Sequence, residues 1–326
     1  MLNVSIIGCG LIGGKRAEAL KEIANIVSCF DISRRVSVNF AEKYTCKAVS
    51  DLSEVFSNKE IDAVFISTDH KSLYEIAIHA LSNGKNVFIE KPGAISSTEL
   101  MRICQKAVDE KLRVHIGYNH RHHKAIAQAI NMASEGEIGK VLFLRARYGH
   151  GGRIGYNKEW RADKLLSGGG ELMDQGTHLL DLSQAFLGDL SLEYGSTPNY
   201  FWDMEVEDNA FIVVKNSNGG IGFLHVSCTE WKNTFSLEVY GEKGKIEVSG
   251  LGGSYGVEKL IFYKMLPEMG PPETYSWEYP MQDDSFSKEV SEFLRDITVN
   301  ERASENLRSS IKVLQLVEEI YLESGR

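Results

Sequence analysis

The run Gly8-Cys9-Gly10-Leu11-Ile12-Gly13 constrains this chain more than any other segment: it is a GxGxxG motif set between an apolar stretch at 3–7 and a helix-like stretch at 14–23. In a strand–turn–helix context each glycine has a physical task. Gly8 allows the tight turn, Gly10 has no Cβ to block a pyrophosphate, and Gly13 lets helix and strand pack closely. The helix N-terminus adds free N–H groups and a favourable dipole for phosphate. Asp31 closes the next predicted strand, 18 residues after Gly13, where an acid can accept from an adenosine ribose 2′-hydroxyl. The expected ligand is therefore a dinucleotide. A carboxylate there favours NAD over NADP, while Arg34 and Arg35 just beyond it leave NADP open.

The first third of the chain keeps one rhythm. Short apolar strands at 3–7, 26–30, 63–67, 86–90 and 113–118 alternate with helices at 14–23, 36–43, 73–82 and 98–111, the last with Ser97 as N-cap. Continuous apolar strands between amphipathic helices predict a parallel sheet covered on both faces, the doubly wound α/β pattern. After residue 120 the rhythm changes. A helix at 124–134, a strand at 140–148 and a helix at 172–186 lead into strands at 211–215, 221–228, 234–240 and 245–248, with Ser217-Asn218-Gly219-Gly220 as a hairpin turn. A helix at 306–322 closes the pattern. The expected fold is α/β: a Rossmann dinucleotide-binding domain over 1–120, then an α+β domain over 121–326 built on a mostly antiparallel open sheet. That second domain is assigned substrate binding and oligomerisation, with the last helix packing back toward the first domain.

Composition excludes several classes. The net charge of −9 over 326 residues argues against a nucleic-acid or anionic-membrane binder, which needs a positive field. Five cysteines without a CxxC pair argue against a disulfide framework or a structural zinc site and fit a cytoplasmic location. No apolar stretch is long enough to span a bilayer. His120, His122 and His123 lack a carboxylate partner at ligand spacing, so no metal is expected.

Further segments carry polar chemistry. Glu90-Lys91-Pro92 ends a predicted strand on the side where open α/β sheets bind ligands. Gly168-Gly169-Gly170 opens a helix that carries Asp174 and His178 four residues apart, on one face. Together with the glycine loop, Gly84-Lys85-Asn86-Val87, Gly117-Tyr118-Asn119, Trp160-Arg161, the run from Gly168 to His178 and Tyr240-Gly241-Glu242-Lys243-Gly244-Lys245, the ordered set resembles the glucose–fructose oxidoreductase/inositol dehydrogenase (Gfo/Idh/MocA) family along nearly the whole chain. The resemblance implies an NAD(P)-dependent oxidoreductase acting on a sugar or cyclitol hydroxyl, with Lys91, Asp174 and His178 as the catalytic set. Expected cofactor contacts are Gly8, Gly10, Leu11, Ile12, Gly13, Asp31, Arg34, Thr68, Glu90 and Lys91. Expected substrate contacts are Lys91, Tyr118, Arg153, Tyr156, Trp160, Arg161, Asp174 and His178. Asp69 and Leu73 stand where the family commonly has proline and histidine.

Oxidising a secondary alcohol needs a base for the hydroxyl proton; the imidazole of His178 suits that role, and the cation of Lys91 suits a developing alkoxide. Either residue remains eligible as the base. The segment 145–161 holds Arg145, Arg147, Arg153, Lys158 and Arg161 against Glu159, interleaved with Tyr148, Tyr156 and Trp160. A basic, aromatic loop in an acidic chain suggests a substrate with an anionic group, such as a phosphorylated or nucleotide-linked sugar. Two other readings stay open: a glycosidase-like enzyme that uses bound NAD transiently, and a non-enzymatic dinucleotide sensor. Apolar residues alternating on the predicted sheet, Phe211, Val213, Phe223 and Val239, predict an uncovered face and a homodimer or homotetramer.

Overall fold

In the computed structural model, which describes residues 1–299 and 305–325, the chain divides into two units. The first comprises Met1–Tyr118 and Phe286–Lys312, the second Asn119–Ser285 and Val313–Arg326.

The first unit is a doubly wound sheet. Strands β1 (Leu2–Ile7), β2 (Ala24–Phe30), β3 (Lys47–Ala48), β4 (Ala63–Ile66), β5 (Asn86–Glu90) and β6 (Val114–Gly117) lie in the order 3-2-1-4-5-6. Every neighbouring pair is parallel. This is the Rossmann order, whose ligand crevice lies where the order reverses, between β1 and β4. Helices α1 (Leu11–Leu20), α2 (Arg34–Tyr44), α3 (Leu52–Ser57), α4 (His70–Ser82) and α5 (Ser97–Glu110) supply the crossovers. The two-residue β3 and the six-residue α3 escape the sequence reading, being too short to show a period. Asp51 caps α3 with a full capping box to Glu54. The N-cap of α5 is Ser96, whose hydroxyl accepts from Glu99 N, and not Ser97, which is the first helical residue.

One segment crosses the expected boundary. The sequence puts everything after residue 120 in the second domain, yet Phe286–Lys312 belongs to the first unit. The helix Ser285–Val299 places Val290, Phe293 and Leu294 in the core with Val4, Ile6, Phe65 and Phe88. Phe293 meets Phe65 and Phe88 edge-on at 5.6 and 5.5 Å. At β6, the Asn306 side chain pairs with both backbone groups of Ile116, at 2.7 and 3.0 Å. The final helix, Glu305–Glu323, contributes its first part to this unit and the rest to the second.

The second unit is an open sheet of eight strands. Helix α6 (Lys124–Ser134) precedes β7 (Val141–Gly149); α7 (Lys164–Ser167) and α8 (Thr177–Leu187) precede β8 (Leu190–Ser196). Then come β9 (Asn209–Asn216), β10 (Ile221–Ser227), β11 (Thr234–Gly241), β12 (Gly244–Ser249), β13 (Glu258–Lys264) and β14 (Glu273–Tyr279). The order is 14-13-12-11-7-10-9-8, antiparallel except where β7 lies parallel to β10. Helix α8 packs on β7 and β10, and α6 on β12, β13 and β14. The β9–β10 turn forms as the sequence predicts: Gly219 takes φ +83°, and the Asn216 carboxamide oxygen accepts from Asn218 N and Gly220 N.

The exposed face of this sheet differs from the expected one. Phe211 and Phe223 are exposed and Val213 is half-buried, but Val239 is fully buried. Val239 sits on β11 opposite Ile246 and Leu144, both buried, so its strand parity sends it to the helix side. Among the described residues no helix is long and apolar enough to cross a membrane.

Candidate active site

In the first unit, the sequence motifs converge on the C-terminal ends of β1, β4 and β5. The glycine turn follows β1, and its three glycines are there for different reasons. A Cβ on Gly8, at φ +91°, would lie 2.4 Å from the Ser67 carbonyl oxygen. One on Gly13 would lie 2.0 Å from the Gly8 oxygen. Both glycines are packing requirements. Gly10 instead faces open space: a Cβ placed there would have no atom within 4 Å, and the residue stands at the start of α1. This is a cradle whose walls are closed by backbone and whose mouth exposes helix N–H groups, the arrangement a pyrophosphate needs. Leu11 is exposed and Ile12 half-buried at the same helix start.

The Asp31 carboxylate is fixed by two backbone donors, Cys9 N at 2.9 Å and Ser33 N at 2.8 Å. Each oxygen keeps a lone pair for a further donor, as a ribose diol requires. The Arg34 guanidinium turns away from this acid and donates to the carbonyls of Ala48 and Val49 at 3.0 and 2.9 Å. Thr68 follows β4, where Ser67 N bonds to Ile7 O and ties that loop to the end of β1.

Glu90, an expected cofactor contact, is also an ion-pair partner inside the unit. Its carboxylate takes the Arg16 Nε at 2.5 Å, and Arg16 also reaches Glu289 at 2.7 Å. The Arg16 side chain is fully buried, with its guanidinium 4.3 Å from the Phe88 ring centre and 4.5 Å from that of Phe286. His115 Nε2 lies 3.5 Å from Glu289. Burial opposes the charge on Arg16, but Glu90 and Glu289 hold its pKa above the ordinary value. Gly117 is explained by the same network, because a Cβ there would come within 2.8 Å of the Arg16 guanidinium. Glu90 thus anchors α1 to the end of β5. Lys91 follows it, half-buried, with a cis peptide to Pro92. Tyr118 is buried at the end of β6.

In the second unit the triple glycine is likewise a packing device. A Cβ on Gly169 would lie 1.9 Å from the Tyr321 hydroxyl, and one on Gly170 would lie 2.0 Å from the Glu207 carbonyl oxygen. The buried Glu207 carboxylate accepts from Gly170 N and Leu172 N, both at 3.0 Å, and from the Tyr321 hydroxyl at 2.8 Å. The next residues depart from the regular helix that the sequence suggests. Leu172–Gly176 forms a π-turn, with Asp174 in it, before α8 begins at Thr177. Such π-turns recur at functional sites. Asp174 is half-buried and paired with Arg161 Nε at 3.1 Å; burial opposes the charge on Arg161, and Asp174 sustains it.

His178 is buried in α8 and packed against His120, with ring centres 3.7 Å apart and planes inclined by 35°. Tyr148 joins both rings, 5.1 Å from His120 and 6.2 Å from His178. Sequence reasoning misses His120, which reads there as one member of a histidine string; its alternation with Arg121 is the available signal. His123 is instead held by Glu258 at 2.6 Å, and Arg121 makes a two-pronged pair with Asp181 at 2.7 Å on each arm.

The basic segment is less positive than its sequence suggests. Arg145 pairs with Glu238 at 2.8 Å, Arg147 with Glu230 at 3.8 Å, Arg153 with Glu159 at 2.6 Å and Arg161 with Asp174. Carboxylates from β11, the loop after β10 and the π-turn neutralise cations that stand unopposed along the chain. Tyr156 is buried, not poised for stacking, and its hydroxyl donates to Glu171 at 2.6 Å. Trp160 is half-buried, with the Arg161 guanidinium 4.5 Å from its ring centre. Burial, reinforced by Asp174, pushes the Glu171 carboxyl up to about 8.

Comparison with known proteins covers both units. Residues 2–118 match the family model described as an oxidoreductase family with an NAD-binding Rossmann fold, and residues 126–247 match that of the GFO/IDH/MocA C-terminal domain. The chain is 26% identical to levoglucosan dehydrogenase of Pseudarthrobacter phenanthrenivorans, over 75% of this chain and 73% of that one. It is 24% identical to inositol 2-dehydrogenase of Salmonella typhimurium, over 80% of this chain and 78% of that one. A solved levoglucosan dehydrogenase in complex with NADH superposes with a TM-score of 0.88 at 20% identity, covering 99% of this chain and 97% of that one. A 3-ketoreductase from Actinomadura kijaniata, solved with NADP and TDP-benzene, superposes with a TM-score of 0.86 at 19% identity and the same coverage.

Proposed function

The chain belongs to the Gfo/Idh/MocA family of NAD(P)-dependent oxidoreductases acting on CH–OH groups, and from that premise we propose that it is an NAD-dependent dehydrogenase oxidising a secondary hydroxyl of a sugar. The observation that carries the cofactor is the glycine cradle: Gly8 and Gly13 enclosed by backbone, Gly10 open, and the helix N-terminus behind it. Gly8, Gly10, Gly13 and the start of α1 would hold the pyrophosphate, and Asp31 the adenosine ribose. NAD, when bound, supplies the hydride acceptor. Lys91 holds the substrate hydroxyl and stabilises negative charge developing on its oxygen. His178 takes the hydroxyl proton, its ring packed against that of His120. Asp174, steadied by Arg161, orients the substrate. The test is a screen of free, phosphorylated and nucleotide-linked sugars for NADH formation by the purified protein. NADH formed with none of these sugars, against measurable NAD binding, would refute the dehydrogenase reading.

Cofactor preference follows from Asp31. Its carboxylate repels a 2′-phosphate, and Arg34 is engaged with the Ala48 and Val49 carbonyls rather than turned toward that phosphate. Calorimetric titration should therefore give NADP a Kd about tenfold or more above that of NAD, about 1.4 kcal/mol. Equal or tighter NADP binding would mean that Arg34 and Arg35 overcome the acid.

The anionic-substrate reading rests on Arg153 and Arg161. Arg153 is exposed, and surface pairs like Arg153–Glu159 contribute only about 0–1 kcal/mol, so a ligand phosphate can displace the glutamate. If the substrate carries such a group, Arg153→Ala raises KM more than it lowers kcat, because a contact remote from the reacting carbon is equal in ground and transition states. Efficient turnover of a neutral sugar, indifferent to this change, would assign Arg153 to the surface alone.

Assembly follows from the sheet. Phe211, Ile221 and Phe223 are all exposed on the adjacent strands β9 and β10, an apolar patch of the kind that marks interfaces. We expect a homodimer or homotetramer by light scattering at micromolar concentration, and Phe223→Lys should lower the mass. A monomeric wild-type mass would contradict this.

A further inference from the structure

Glu171 is a buried carboxyl, three residues before Asp174, that the proposed chemistry does not use; it is 1% exposed. The Tyr156 hydroxyl donates to its Oε1 at 2.6 Å, and His150 Nε2 stands 3.7 Å from the same oxygen. Its Oε2 is buried with no nitrogen or oxygen partner. Around it lie two other acids, Asp174 and Glu207, and the Cys228 thiol. The nearby cation, Arg161, is committed to Asp174. His150 Nδ1 accepts from Gly152 N at 2.9 Å, and burial lowers the pKa of the ring, so it stands as a neutral imidazole. An ionised carboxylate would thus bury a charge beside two others with no nitrogen or oxygen partner at Oε2, whereas a carboxylic acid would bury no charge there.

We propose that Glu171 is a positioning residue that works as a neutral acid, its carboxyl fastening Tyr156, and with it the segment 150–162, to the turn that carries Asp174. This rests on the reading of Asp174 and Arg161 as site residues. The segment leaves β7 and reaches Asp174 again through Arg161, so Tyr156 is the midpoint that fixes its path. Burial and Asp174 push the acid up to about 8, near enough to neutrality for the closed segment to lose stability in mild alkali, even though the Tyr156 hydroxyl bonds a carboxylate well. Hydrogen bonds from the Tyr156 hydroxyl and the Cys228 thiol favour the ionised form, but burial and Asp174 outweigh them. Burial raises the pKa of Tyr148, Tyr156, Tyr255 and Cys228, so these groups keep their protons. When Glu171 ionises, it adds a negative charge to those of Asp174 and Glu207, and the segment loosens.

Hydrogen–deuterium exchange of the whole protein, without substrate or cofactor, tests this on peptides spanning residues 149–162. After correction for base-catalysed exchange, protection in the wild type should fall about tenfold between near pH 7 and about pH 9. Glu171→Gln keeps the shape and stays neutral, so it should retain protection at both pH values. Glu171→Ala and Tyr156→Phe should be unprotected already near pH 7. A purely structural glutamate would not give a pH-dependent loss that glutamine abolishes. The proposal is overturned if wild type and Glu171→Gln change in parallel, if the wild type shows no pH dependence, or if Glu171→Gln behaves like Glu171→Ala near pH 7. Because no substrate is added, a failed sugar screen leaves this result standing, and a failure here leaves the sugar assignment standing.

Discussion

Lys91→Ala and His178→Ala are each expected to lower kcat/KM by ~10²–10⁴-fold, the range set by removing one acid–base group from a proton-transfer step. The two variants differ in what else they disturb. Lys91 stands beside Glu90 as a nearby positive charge, and its alanine variant should keep the fold and NAD binding while losing turnover. His178 is buried against His120, so its removal also leaves a cavity and costs stability. His178→Gln restores much of the volume without the titrating ring and separates the two effects. The pH profile then identifies the base: the variant that removes the acid limb of kcat/KM has lost it. If either residue could be replaced with less than about threefold loss, well below the acid–base range, the assignment of that residue would be wrong.

The largest stability effect is expected at Arg16. Arg16→Met keeps the volume but leaves Glu90 and Glu289 without their cation inside the first unit. Breaking a buried ion pair from one side costs about 3–5 kcal/mol, because a buried charge is left uncompensated. The deficit should grow with pH. Burial already holds the Glu90 carboxyl above its ordinary value, and loss of the cation that opposes this raises it further from the unfolded value of about 4.3. Such a group contributes stability that is fully present below the unfolded pKa and lost as pH rises through the folded one. Denaturant unfolding near pH 5 and near pH 8 should therefore show a smaller penalty at the lower pH. Adding Glu90→Gln and Glu289→Gln should recover part of the loss. A deficit under about 1 kcal/mol, equal at both pH values, would show that the network is solvated and weak.

The Arg16 network also illustrates how little of the polar architecture can be seen in the sequence. Arg16 lies in a helix beside other charged residues, and its pattern reads as a surface position. Nothing local signals that Glu289, from far along the chain, will be its partner. The place of Glu90 at a strand end points to the cofactor, and its ion pair with Arg16 adds a scaffold role that no local pattern announces. The arginines of 145–161 make the same point in reverse. Their apparent excess of charge shrinks because β11, the loop after β10 and the π-turn bring carboxylates from other elements. Val239 falls on the opposite face from the expected one because a one-residue error in strand parity inverts every side chain.

The sequence by itself determined the parts whose physics is local. Strand, glycine turn and helix follow one another within a few residues, and the steric demand on Gly13 comes from the Gly8 oxygen of the same turn, whereas that on Gly8 comes from Ser67 after β4. The position of Asp31 at the end of β2 and the change from parallel to antiparallel rhythm after residue 120 were legible for the same reason, since side-chain periodicity is a property of neighbours along the chain. Only the tertiary structure decided what depends on long-range encounters. It took Phe286–Lys312 back into the first unit, where a buried arginine and an aromatic core needed it. It converted the start of the Asp174 helix into a π-turn against Glu207. It also turned an inconspicuous glutamate at 171 into a buried acid. Burial and counter-charge set such roles, and neither is written in the order of the residues that experience them.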